Sequence, residues 1–293
     1  MNITKKVDQK GAKLIVIWDY DTPISRITAT KPYKYQFDKC LQEEKNVAKI
    51  LEVAEEFEAE MTFAVVGYGA EQSVYPFDVR HVIKQIRDKG HEVASHSWKH
   101  EWFPYLTKYQ IEHTLKRSKL IIEQTIGEGH VTGFVPPHDK PYSWLSKFAW
   151  SKGDRALYPF HPGADIGYIA GELNRQNYTW YRVRFRSIWN KLVDWEGIKL
   201  EKRLTRPWIK HKGTICFNAT YNGFDERALQ LMDQAVKTNA VIVVVGHPAA
   251  LSWKGPESMD CFQKLMEHAS SYKKDGKLEF FTVQDYINEY INQ

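Results

Sequence analysis

The sequence predicts an α/β fold built on a parallel sheet, and three observations carry that prediction. Short β-branched runs alternate with stretches whose apolar residues recur at helical spacing. Most runs are separated by helical or loop stretches rather than by tight hairpin signals, and repeated βα units with short connections favour parallel pairing. Acids and imidazoles fall where the runs end, and parallel α/β folds assemble their sites at the C-terminal ends of strands. Periodicity leaves open whether such a sheet stays open or closes into a barrel.

The elements follow in order. "KLIVIWD" reads as a buried strand, and residues 40 to 57 as a helix with Lys and Glu between its apolar positions. "MTFAVVG" is a second strand, ended by Gly67 and Gly69. "VRHVIKQIRDKG" is a helix stopped by Gly90, and "HEVAS" a third strand. A helix opened by Thr107 and closed by Gly127 comes next. "TGFV", "RALYPF", "TWYRVRF", "TICFN" and "AVIVVVG" read as further strands, "DERALQLMDQAVKTN" as the clearest late helix, and "TVQDYINEYINQ" as a final one. The stretch after Arg186, rich in Trp and basic residues, reads as an insertion over the site. No linker, low-complexity segment or internal repeat divides the chain, so one domain over residues 1–293 is expected.

Composition narrows the function classes. An apolar fraction of 43% and an aromatic content of 14% are ample for a buried core. The net charge of +5 is spread along the chain, which argues against a nucleic-acid binder with its concentrated basic face. The N-terminal "MNITKKVDQKGAK" is polar, and the "LIVIW" that follows is too short for a signal sequence or a membrane span. Cys40, Cys216 and Cys261 lack metal-type spacing and read as reduced thiols, which predicts a cytoplasmic protein.

Chemistry concentrates at strand ends: Asp19 and Asp21 after "LIVIW", His96 after "HEVAS", His138 after "GFVPP" and His247 after "VIVVVG". His96 and His100 lie four residues apart, a spacing that lets two imidazoles meet one ion and that also occurs by chance. With Asp21 they form a two-imidazole, one-carboxylate set that leaves a divalent ion open positions, as catalytic zinc requires. Non-haem iron accepts the same donors, so ligand type alone does not name the metal. Asp19 and Asp21 in "WDYDTP" either cap a turn before Pro23 or divide the work, one on the ion and one free to accept a proton from bound water. His247 is either a structural loop residue or, protonated, a general acid for a leaving amine.

These motifs, from about Lys13 to the C-terminus, resemble the polysaccharide deacetylase family, with its NodB homology region and carbohydrate esterase family 4 members. "IVIWDYD", "GHEVASHSWKH", "GFVPPHD" and "VVVGHP" are similar to its first, second, third and last motifs, in that order. The Asp-x-Asp spacing resembles a branch with intracellular peptidoglycan-deacetylase-like and imidase-like enzymes. The resemblance implies a distorted (β/α) barrel of about seven strands. It implies metal ligands Asp21, His96 and His100, base Asp19 and acid His247. The cofactor implied is a divalent ion, zinc first, with cobalt, nickel, manganese or ferrous iron also suited to these ligands. The third motif supplies an oxyanion donor; Pro136 and Pro137 carry no N–H, so the first donor there is the amide of His138.

The match departs in two places. Val135 stands where the family commonly has an arginine that orients the catalytic Asp, which makes Arg26, Arg182, Arg184 and Arg186 candidate substitutes. No counterpart of the acidic residue that tunes the acid histidine is visible, and Asp165 and Asp194 are the candidates. Trp98, Trp102, Trp144 and Trp253 lie beside the motifs, where indole faces either stack on sugars or pack the core; Trp98, Trp102 and Pro137 are the substrate contacts expected. "YRVRFRS" puts three arginines on one strand face, read as a solvated edge strand in preference to an anion site.

The function implied is a metal-dependent hydrolase that removes an N-acetyl group from a sugar or a nucleotide- or lipid-linked precursor in surface-glycan assembly. Neither a nucleic-acid partner nor a membrane span is expected, and a homo-oligomer is compatible. The alternatives are a catalytically impaired glycan-binding protein, motivated by Val135, and a hydrolase of a non-sugar amide or imide. An iron-dependent oxygenase shares the ligand types but not the motif order.

Overall fold

The computed structural model describes residues 11–28, 37–72, 74–137, 149–150, 160–161, 165–183 and 207–292. Its centre is β1 (Ala12–Tyr20), nine residues with every side chain buried. An interior strand of a parallel sheet is covered on both faces, which is why this one reads as a continuous apolar run. Around it lie β2 (Thr62–Val65), β3 (Glu92–Ser95), β4 (Gly133–Phe134), the antiparallel two-residue pair β5 (Ala149–Trp150) and β6 (Phe160–His161), β7 (Trp180–Arg182), β8 (Trp208–His211), β9 (Thr214–Phe217), β10 (Tyr221–Asn222), β11 (Val241–Gly246) and β12 (Leu278–Phe280). The main sheet runs β10-β11-β1-β2-β3-β4-β7-β9-β8, with β12 also on β1. All of its pairings are parallel except β8 with β9. The expected α/β fold is present as a curled, parallel-rich half-barrel.

The helices are α1 (Thr22–Thr28), α2 (Phe37–Glu56), α3 (Tyr68–Glu71), α4 (Arg80–Asp88), α5 (Lys108–Ile126), α6 (Ile166–Arg175), α7 (Glu226–Thr238), α8 (Met259–Lys274) and α9 (Val283–Tyr290). Three of them bury one stripe at positions i, i+3, i+4 and i+7: Val47, Ile50, Leu51 and Ala54 in α2, Ala228, Leu231, Met232 and Ala235 in α7, Phe262, Leu265, Met266 and Ala269 in α8. Thr107 forms a full capping box with Gln110 at the start of α5. Asn239 ends α7 in the left-handed conformation. None of the helices among the described residues is long and apolar enough to cross a membrane.

Strand alternation divides β1 between two cores. Leu14, Val16, Trp18 and Tyr20 face the helix-covered cluster, whereas Ile15 and Ile17 join Ala64, Ala94, Val135, Trp180, Phe217, Val243 and Val245 on the opposite face. Helix α9 covers that second face with Val283, Tyr286 and Ile287. Its first turn is anchored at the N-terminal ends of β2 and β3, where Val283 N–H donates to Thr62 Oγ1 and Gln284 N–H to buried Glu92. Apolar packing thus fills one end of this face, and the C-terminal strand ends remain for polar residues.

Three expectations change. Strand β7 lies between β4 and β9 rather than at an edge, and Arg182 is buried. Helix α8 is absent from the strand–helix reading because its cap Ser258 follows the loop-like "WKGPE". The short β8 and β12 take their order from neighbours, not from a pattern of their own. "RALYPF" lies outside the described residues except for Phe160.

Gly133 shows how tightly β4 meets β7. A Cβ there would stand 2.0 Å from the Trp180 ring, which cannot yield because it is fully buried and its N–H donates to Glu92 at 2.8 Å. Gly133→Ala is expected to destabilise the fold by about 1–3 kcal/mol in urea denaturation, the usual cost of overpacking; unchanged stability would mean the two strands separate easily.

Candidate metal centre and active site

The alternation that buries Ile15 and Ile17 continues to Asp19 and Asp21. On the same face, Ala94 leads to His96, Trp180 to Arg182, and Val243 and Val245 to His247. The register sets their height: Trp18 pairs with Gly246, and Asp19 with Ala64. Four strands therefore deliver acids, imidazoles and a guanidinium to one rim.

Donor atoms of Asp21, His96 and His100 all lie within 4.8 Å of one another. Asp21 Oδ1 is 3.1 Å from His100 Nε2 and 3.4 Å from His96 Nε2. All three residues are buried, and Oδ1 is aligned with no hydrogen-bond donor. His96 Nδ1 is 2.8 Å from the Val135 carbonyl, so its N–H donates there and Nε2 keeps its lone pair for an ion. Burial alone would raise the Asp21 pKa, but His100 and then His96 hold it well below the usual carboxylate range. A buried carboxylate oxygen with no aligned donor, facing two imidazole nitrogens, suits a divalent cation.

His100 reaches this cluster through an unusual turn. Ser97 and His100 have φ of 66° and 59°, left-handed values uncommon for residues with a Cβ. The surroundings hold the turn: Gly67 N–H and the Ser118 hydroxyl donate to the Ser97 carbonyl, and Tyr68 N–H donates to that of Trp98. Thr114 accepts from Trp98 N–H and donates to Glu101. Strain that its neighbours over-determine is typical of functional sites.

Asp19 sits beside the cluster in a bidentate pair, receiving Arg182 Nη1 at 2.7 Å and Nη2 at 2.5 Å. His247 Nε2 is 3.8 Å from Asp19 Oδ2. Behind it, Glu257 Oε2 lies 2.8 Å from His247 Nδ1 and accepts the His247 backbone N–H at 2.7 Å. Burial would lower the imidazole pKa, but Glu257, then Asp19 and Asp21, raise it to about 10. These groups line a cavity of about 440 Å³, walled on the other side by Asn222, Trp253, Lys254 and Pro256.

Among the residues singled out from the sequence, Asp19, Asp21, His96, His100 and His247 line this one cavity. Trp98 does not: its indole Nε1–H donates to Glu71 and Lys99 lies over its ring. Trp102 stacks on Tyr105, and neither it nor buried Pro137 is in the lining. Trp253 is. Of the arginine candidates Arg182 meets Asp19; Arg184 and Arg186 lie outside the described residues, as does the Arg26 side chain. Asp165 caps α6 through Tyr168 N–H instead of tuning His247. Asp194, His138 and Trp144 also lie outside the described residues. Glu257 was missed; the signal available was a carboxylate ten positions after His247 in a Gly-Pro loop.

Residues 26–147 match the family model described as polysaccharide deacetylase. No curated protein matches the sequence. Among solved structures, a Mycobacterium smegmatis protein assigned as a polysaccharide deacetylase aligns over 98% of this chain and 92% of its own, with a TM-score of 0.66 at 12% identity. A mutant of a Bacillus anthracis carbohydrate esterase family 4 pseudoenzyme, with restored enzymatic activity, aligns over 95% of this chain and 67% of its own, with a TM-score of 0.50 at 13% identity. Residues 26–147 thus match the polysaccharide deacetylase family model, and the fold of the Mycobacterium smegmatis protein is shared along almost the whole chain.

Proposed function

We propose that this protein is a metal-dependent hydrolase that removes an N-acetyl group from a sugar or a sugar precursor. The observation that carries the reading is the buried Asp21–His96–His100 cluster with Asp19 and His247 flanking one open cavity. A divalent ion held by those three residues, zinc being the first candidate, would polarise the amide carbonyl and lower the pKa of a bound water from ~16 to ~7. Asp19, oriented by Arg182, accepts the proton as water oxygen adds to the acetyl carbon. The amide N–H of His138 is assigned to the developing oxyanion. His247 then gives its proton to the departing nitrogen, the C–N bond breaks, and acetate and a free amine leave.

Arg182 bears on the impaired reading. That reading is motivated by Val135, but a guanidinium from another strand meets Asp19 instead. A catalytically competent site is favoured. A cytoplasmic setting would make a nucleotide- or lipid-linked sugar a more accessible substrate than assembled wall polymer.

The test is acetate release by zinc-loaded protein from a panel of N-acetyl sugars, with a cyclic imide alongside. Chelation and His96→Ala are each expected to cut the rate at least about a thousandfold, and His96→Ala to lower bound zinc about 10–100-fold or more by elemental analysis. Full activity in both treatments ends the metal-dependent reading. Turnover of the imide alone would move the substrate class away from sugars.

A further inference from the structure

We propose that the substrate carries an anionic group, a phosphate or a carboxylate, close to its acetamide, and that Lys254 receives that group while Trp253 lies against the sugar ring. The inference rests on the deacetylase reading and extends it to substrate class. Its basis is the balance of charge in the cavity. Arg182 is matched by Asp19 in a two-bond pair, and His247 by Glu257. Asp21 faces the imidazoles of the cation site. Lys254 lines the same cavity and, among the described residues, has no carboxylate within ion-pair distance. A 2+ ion on one carboxylate and two neutral imidazoles leaves a further positive charge beside it. Among the described residues, the cavity with its ion bound would therefore carry an excess of positive charge, which a neutral sugar would leave unmatched and an anionic one would meet.

The wall that presents Lys254 is built, not a loose surface loop. Trp253 N–H donates to the Ala250 carbonyl, Ser258 N–H to that of Gly255, Met259 N–H to that of Leu251, and Phe224 N–H to that of Pro256. From α2, Asn46 donates to the Pro248 carbonyl and accepts from the Ser252 hydroxyl. Glu257, three residues after Lys254, is fixed on His247. The position of Lys254 relative to the acid histidine is set by this network. Trp253 beside it lines the same cavity and is 48% exposed. An indole edge or face at a cavity wall packs on a sugar ring, while a lysine ammonium takes a phosphate or carboxylate as a point charge.

Three probes distinguish the outcomes: N-acetylglucosamine 1-phosphate, N-acetylmuramic acid and neutral methyl N-acetylglucosaminide, each given to zinc-loaded wild type, Lys254→Ala and Lys254→Glu. In wild type kcat/KM is expected to favour one charged probe over the neutral one by roughly tenfold or more. In Lys254→Ala that ratio falls toward one through KM, in Lys254→Glu below one, and added salt narrows the wild-type ratio. Which charged probe leads tells phosphate from carboxylate. Equilibrium dialysis of the same probes gives a readout independent of turnover. Binding that depends on Lys254 without any acetate release sinks the deacetylase reading and keeps this one. Turnover of all three probes at equal efficiency, with the ratio unmoved by Lys254→Ala, overturns this inference and keeps the deacetylase. Neither turnover nor Lys254-dependent binding removes both.

Discussion

Arg182→Met is expected to lose about 3–5 kcal/mol of stability and nearly all acetate release, while zinc content stays unchanged. The Arg182 and Asp19 side chains are 3% and 5% exposed, so removing the guanidinium leaves a buried carboxylate without its two-bond partner, with the His247 imidazole 3.8 Å away as its nearest remaining cationic neighbour. Breaking a buried pair from one side is far more costly than replacing both partners, because it leaves a charge that its former partner no longer compensates. The double variant Asp19→Asn/Arg182→Met should therefore recover much of the stability. It should not recover activity, since the proton acceptor is gone. Zinc is unaffected because Arg182 holds Asp19 and none of the three metal-site residues. Urea denaturation, elemental analysis and an acetate assay separate the three effects. A stable, fully active Arg182→Met would show that Asp19 needs no partner, and with that the assignment of Arg182 as its orienting residue would fall.

Glu257→Gln is expected to move the alkaline limb of the rate profile. His247 must be protonated to serve as acid, and with its pKa raised to about 10, kcat/KM should hold until the pH approaches that value. The amide still accepts the His247 backbone N–H but removes the charge that supports the imidazolium. The limb should then shift down toward the ordinary imidazole value of ~6.5, and the rate at pH 8 should fall roughly 10–100-fold. Stability follows the same proton. A folded-state pKa raised above the unfolded one stabilises the protein fully below about pH 6.5, and the benefit is lost as pH rises through about 10. His247 is 37% exposed on its side chain, so solvent screens part of that benefit. Thermal melts of wild type and variant should diverge most near pH 6 and converge above pH 10. Identical rate profiles would show that Glu257 does not set the acid's protonation.

The helical and strand periods of the central elements were legible because they are local. "KLIVIWD", "HEVAS" and "AVIVVVG" carry apolar runs that only a buried strand accommodates, and each ends on the acid or imidazole it delivers. Alternation with period 2 then places Asp19, Asp21, His96 and His247 on the face of the apolar residues before them, so the rim itself was encoded in the sequence. Its partners were not. Arg182 meets Asp19 across 163 positions because β7 lies inside the sheet between β4 and β9, and an arginine on alternate positions looks the same on an interior strand as on an edge. Glu257 reaches His247 through a Gly-Pro loop whose path depends on hydrogen bonds to α2 and to the residues before α7. Trp98 and Trp102 sit beside the second motif in sequence yet turn away from the cavity, since neighbouring side chains on a turn need share no direction. Local pattern determined which side chains the strands carry and on which face. Strand order and loop closure, which depend on contacts far apart in the chain, decided which charges they meet there.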